Sequence, residues 1–133
     1  MDTFGTKPRF EVLADDTVVS RVGTQLNCGG IAQVHLRITR SKLAVFEFSL
    51  ADSPAEASSA SDTVPAIEVP TDLRGAIEEG AREAWNGSGV GLHVELLDAL
   101  VHPVDANCQM FRIAGREAVL GWLRFSNITV PAV

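Results

Sequence analysis

The residues best suited to chemistry lie together in one short stretch, VHPVDANC, at positions 101–108. His102, Asp105 and Cys108 are the residue types of a nucleophilic set, in which a histidine takes the thiol proton and a carboxylate orients the histidine. Cys108 falls in the first turn of a predicted helix, where the helix dipole lowers the pKa of a thiol. However, the three residues crowd around one helix start, whereas catalytic sets usually draw on separate elements. We therefore predict that Asp105 simply caps the helix and that the chain is not an enzyme.

Patterns for nucleotides and metals are missing from the sequence. There is no GxxxxGK[ST] motif, so the chain is not expected to bind GTP. The glycine-rich GSGVG at 87–91 leads into a predicted strand rather than a helix, which favours a plain turn. Cys28, Cys108 and the histidines lack the short ligand spacing of a zinc site, and His35 and His93 are predicted to be solvent-facing strand residues. No cofactor and no metal are predicted.

Length and charge limit the possible functions. A chain of 133 residues with 46% hydrophobic content predicts one globular domain, 1–133. The formal charge of −6 works against non-specific RNA binding, because phosphates attract cations. The start MDTFGTKPRF does not resemble a signal peptide, and no apolar run approaches the ~20 residues of a membrane span. We expect a soluble, cytoplasmic protein without a membrane partner, in which the two cysteines are buried and reduced.

The first half of the chain predicts strands. Residues 1–8 read as a loose leader, and two β-prone runs flank Asp15-Asp16, as in a hairpin. Strict alternation over 31–39 predicts a strand with one buried face, and the run LAVFEFSL (43–50) predicts another. The small and polar residues 51–63 predict a flexible loop within the domain.

The second half predicts two helices around a buried strand. Thr71 or Asp72 is predicted to cap a helix that ends at about Trp85, followed by a strand at 90–97. A second helix is predicted over 106–125, with small residues near its middle, and 128–133 as a last edge strand. The economical packing is an α+β two-layer sandwich, a four-stranded sheet with two helices on one face.

With these elements in place, the second half of the chain resembles domain IV of elongation factor G, the translocation factor. The stretch VHPVDAN (101–107), followed by MFRIA (110–114), is similar to the family's second tip loop and the helix that follows it. Val69-Pro70 and Arg74-Gly75 resemble the family's Ile-Pro and Lys-Gly before and in the preceding helix. The glycine-rich turn before Val34 stands where the family has its first tip loop.

This resemblance implies a fold like the second domain of ribosomal protein S5, with a left-handed β-α-β crossover. It also implies a non-catalytic role in translation, in which the tip loops contact tRNA and messenger RNA on the ribosome. The implied contact residues are His102, Val104 and Asp105 in the second loop, and Gly29, Gly30 and Gln33 in the first.

The chain departs from the family pattern at both loops. Pro103 replaces the family's aspartate, and the first loop lacks the tyrosine and has Gln33 in the histidine position. Together with the acidic charge, these differences leave an alternative open. The chain is then a non-enzymatic protein-interaction module that keeps the fold without binding the ribosome.

Overall fold

The structure, a computed structural model, describes residues 9–12, 16–23, 31–51, 63–101 and 108–126. These residues form a mixed sheet and two α-helices, so the predicted α+β class is confirmed. The strands are β1 (Arg9–Val12), β2 (Thr17–Gly23), β3 (Ile31–Ser41), β4 (Phe46–Leu50), β5 (Thr63–Pro65) and β6 (Gly91–Leu100). The helices are α1 (Thr71–Trp85) and α2 (Cys108–Phe125), and a single 3-10 turn, Ala66–Glu68, precedes α1.

The sheet of the described residues has six strands rather than the predicted four. The extra strands arise because the hairpin β1–β2 extends the sheet on one side and Thr63–Pro65 pairs with β6. The strand order is β1-β2-β3-β6-β4, with β5 also beside β6. β4 and β6 are parallel, and all other pairs are antiparallel. β4, α1 and β6 thus form a β-α-β unit, whose left-handed sense stays a prediction.

Alternation along the strands separates a core face from an outer face. Val34, Leu36 and Ile38 of β3 are fully buried beneath the helices, as the sequence pattern predicted. α2 packs over β2 and β3, while α1 packs mainly against α2. Burying each such side chain stabilises the fold by about 1.5–3 kcal/mol, so this face accounts for the two-layer packing.

The start of α1 differs from the prediction. The helix begins at Thr71, but Pro70 is the N-cap residue, and it makes no side-chain cap hydrogen bond. The predicted cap by Thr71 or Asp72 is therefore wrong. The fixed φ of Pro70, −52°, directs the chain into the helix, and its carbonyl oxygen accepts a hydrogen bond from the Arg74 N–H at 2.9 Å.

The end of α1 agrees with the prediction. Gly87 and Gly89 have φ of 84° and 79°, left-handed conformations that favour glycine. The GSGVG stretch is thus a turn into β6. The indole N–H of Trp85 donates to the Val90 carbonyl at 2.6 Å and fixes the end of α1 beside the start of β6.

Several predicted features lie outside the described residues. They are the leader 1–8, residues 52–62 of the predicted loop, the Asp105 cap and the last edge strand at 128–133.

Candidate functional site at the loop end of the sheet

Three segments of the chain attach to the same end of the sheet, which we call the loop end. Gly23, the last residue of β2, pairs with Ile31, the first residue of β3. Leu100, the last residue of β6, pairs with Gln33 on one side and with Thr63, the first residue of β5, on the other. The sheet is therefore joined at this end to residues 24–30, to residue 62 and to residues 102–107.

Of the six predicted contact residues, the structure describes one. Gln33 is half-buried on the outer face of β3, next to the loop end. Gly29, Gly30, His102, Val104 and Asp105 lie outside the described residues. The described strands nevertheless bring together the points from which both predicted tip loops leave the sheet.

Both helices begin at the loop end. The first turns of α1 and α2 are in contact, since the Cys108 Sγ lies 3.6 Å from an Asp72 carboxylate oxygen. Trp85, at the other end of α1, contacts Val90 just before β6 begins. The two helices therefore run in roughly the same direction and direct the positive ends of their dipoles towards the loop end.

Arg74 adds a cation to the loop end. Its guanidinium donates a hydrogen bond to Thr71 Oγ1 at 3.0 Å, and its buried Nε has no hydrogen-bond partner in the described part of the chain. Within the described ranges, no carboxylate forms an ion pair with Arg74. An arginine with unused donors is suited to phosphate or carboxylate oxygens.

Cross-strand polar pairs line the outer face of the sheet. Ser49 Oγ lies 2.8 Å from His93 Nε2, Arg37 Nη1 lies 2.8 Å from Glu95 Oε1, and His35 Nδ1 lies 2.9 Å from Asp98 Oδ2. The prediction that His35 and His93 lie on this face is correct, but both are half-buried and bonded rather than freely exposed.

The His35–Asp98 pair was not anticipated from the sequence. Asp98 is only 5% exposed, although it lies on the face opposite the helices. A β-bulge in β6, between the residues opposite His35 and Leu36, turns the Asp98 side chain towards His35. The signal in the sequence was the adjacent Leu96-Leu97, which breaks the alternation of β6.

An aspartate–histidine pair can serve a catalytic nucleophile, but none of the residues that the structure describes supplies one to His35. In a serine or cysteine hydrolase the second ring nitrogen accepts the nucleophile's proton. The Nε2 of His35 is buried, and no described residue forms a hydrogen bond with it. Among the described residues, this pair is therefore a cross-strand contact rather than part of a triad.

Cys108 differs from the prediction in two respects. It is free but exposed, whereas a buried thiol was predicted. Desolvation raises the pKa of the thiol, and the charge of Asp72 and a hydrogen bond to it raise the pKa further. The surroundings of Cys108 thus shift its pKa in the direction opposite to the predicted lowering by the helix dipole, and a raised pKa disfavours the nucleophilic thiolate.

Metal-binding clusters and membrane-spanning helices are absent from the described residues, and comparisons with known proteins give no match. In the described part of the chain, no three His, Cys, Asp or Glu side chains are close enough to hold a metal ion. No described helix is long and apolar enough to cross a membrane. No protein-family model matches the sequence, and no curated protein matches it.

Proposed function

We propose that this chain is a non-catalytic, translation-factor-like domain, similar to domain IV of elongation factor G, that contacts the ribosome, tRNA or other RNA through its loop end. The proposal rests on the pairing of Gln33 with Leu100, because it joins the two segments that resemble the family's tip loops to neighbouring strands. The contact residues in this proposal are His102, Val104 and Asp105, with Gly29, Gly30 and Gln33. A cytoplasmic location belongs to the same proposal.

The local electrostatics of the loop end support this proposal despite the overall charge of −6. A uniformly acidic surface repels phosphates, so RNA contact requires a local exception. The positive dipole ends of α1 and α2 and the guanidinium of Arg74, which forms no ion pair with a described carboxylate, supply one at the loop end. In its first turn α2 has no acidic residue, whereas α1 has Asp72.

Co-sedimentation with purified ribosomes at low and moderate salt tests the proposal. We expect salt-sensitive binding by the wild type, strongly reduced binding by His102→Ala, and wild-type binding by a matched control, His93→Ala, on the outer face of β6. His102→Ala should leave the free energy of unfolding within about 0.5 kcal/mol, as for other surface changes. Equal binding by His102→Ala would remove the tip-loop role. Absence of wild-type binding at every salt concentration would remove the proposal itself.

The edge of β4 supports the alternative of a protein-interaction module. Among the described strands β4 pairs only with β6, so none of them pairs with the backbone groups of its other edge. Leu43 and Val45, just before β4, are 71% and 43% exposed. An extended segment of a protein partner adds to such an edge through main-chain hydrogen bonds. Capture of a partner without ribosome binding, abolished by Leu43→Lys with Val45→Lys, would favour this alternative.

A further inference from the structure

We propose that the His35–Asp98 pair fixes the register of β6 against β3, and thereby the position at which the chain leaves the sheet towards residues 102–107. The observation is a change of register at this pair. Leu36 is opposite Leu96, yet His35 is opposite Asp98, so Leu97 is an extra residue in β6. Such a bulge interrupts the backbone ladder, so we expect a nearby interaction that favours it over the regular register.

The alternative register shows what that interaction is. Without the bulge, His35 would be opposite Leu97, and Asp98 would be opposite Val34, which is fully buried in the core. A carboxylate there would be buried without a partner, which is strongly unfavourable. In the bulged register Asp98 instead lies 2.9 Å from His35 Nδ1, and Ala99 takes the buried position.

Neighbouring strands extend the effect of this pair to the loop end. Asp98 is opposite His35 of β3 and opposite Pro65 of β5, so a register change in β6 disturbs both pairings. A slip of one residue moves Val101 by about 3.3 Å along the strand and exchanges the two faces. Only the consequence for RNA contact, through the spacing of the two tip loops, rests on the proposed function.

The variant Asp98→Ala tests the register directly, because positions 98 and 99 then hold the same residue. The slipped register would no longer bury a carboxylate, and it would turn the apolar Leu100 inwards. In NMR spectra of the wild type we expect cross-strand contacts between Gln33 and Leu100 only. In Asp98→Ala we expect a second set of signals for residues 97–101, at roughly 10% or more of the total, with contacts between Gln33 and Ala99. A single set that retains the Gln33–Leu100 contact would overturn the proposal.

Two controls separate this effect from general destabilisation. Glu95→Ala removes the Arg37–Glu95 ion pair from the regular part of the same face, and we expect one register. Asp98→Asn keeps the hydrogen-bonding side chain, and we expect it to restore the bulged register.

Deletion of Leu97 provides a test if Asp98→Ala does not fold. This variant should fold with a regular ladder that still places Asp98 opposite His35, and any other partner for Asp98 would overturn the proposal. The NMR measurements need no ribosome. The role of the His35–Asp98 pair can therefore be disproved while ribosome binding is confirmed. Ribosome binding can equally be disproved while the role of the pair is confirmed.

Discussion

Gly115 of α2 lies against the backbone carbonyl of Ile77 of α1. A Cβ atom on Gly115 would be 2.5 Å from that carbonyl oxygen and 3.2 Å from the carbonyl carbon. Gly80 of α1 meets the main chain of Arg112 in the same way. The two glycines set the distance between helices whose first turns meet at the loop end.

We expect Gly115→Ala to destabilise the protein by about 1–3 kcal/mol, because the added methyl group forces the two helix backbones apart. Gly75 provides a matched control, since it lies in α1 but a Cβ there would have nothing within 4 Å. Gly75→Ala should stabilise the protein by about 0.5–1 kcal/mol through its higher helix propensity. Urea unfolding measures both, and equal effects of the two substitutions would contradict the close helix contact.

A second prediction concerns two serines in different surroundings. Ser20 is fully buried on the core face of β2, and its Oγ has no hydrogen-bond partner within the described ranges, whereas Ser49 Oγ is bonded to His93. Ser20→Ala should therefore be neutral or stabilise the protein by up to about 1 kcal/mol, because it removes an unsatisfied hydroxyl. Ser49→Ala should destabilise it by about 0.5–1.5 kcal/mol. Clear destabilisation by Ser20→Ala in urea unfolding would mean that its hydroxyl has a partner.

Local patterns sufficed to predict which residues face the core. The alternation over 31–39 assigned Val34, Leu36 and Ile38 to one face, and burial confirms it. Helical spacing and the Asn86-Gly87 pair likewise predicted the end of α1 at Trp85. These features depend on neighbours close in sequence, whose physical preferences are readable from residue type alone.

Features that depend on distant pairing could not be predicted in the same way. Arg37 and Glu95 are 58 positions apart, and nothing in either strand alone specifies the other. The raised pKa of Cys108 depends first on desolvation and then on its proximity to Asp72, 36 positions away. The predicted dipole effect considered only the helix in which the cysteine lies.

The Cys108–Asp72 contact makes a prediction about reactivity. Because the pKa of the thiol is raised, the thiolate fraction at neutral pH is smaller than for a free cysteine. In a Cys28→Ser background, Cys108 should be alkylated by iodoacetamide more slowly than a free thiol. Asp72→Asn should lower the pKa and move the pH–rate profile to lower pH. An alkylation rate at neutral pH above that of free cysteine would instead revive a nucleophilic role.

The final prediction concerns phosphate contact at the loop end. Arg74 and Arg124 both lack an ion pair with a described carboxylate, but Arg74 lies in the first turn of α1 and Arg124 in the last turn of α2. If RNA approaches the loop end, Arg74→Ala should weaken ribosome binding. It should also reduce the steepness of log affinity against log salt by about 1, the change expected for one lost phosphate contact. Arg124→Ala, at the opposite end of the fold, should leave the slope unchanged. Equal losses of affinity in both variants would mean that binding depends on the net charge of the protein rather than on contacts at the loop end.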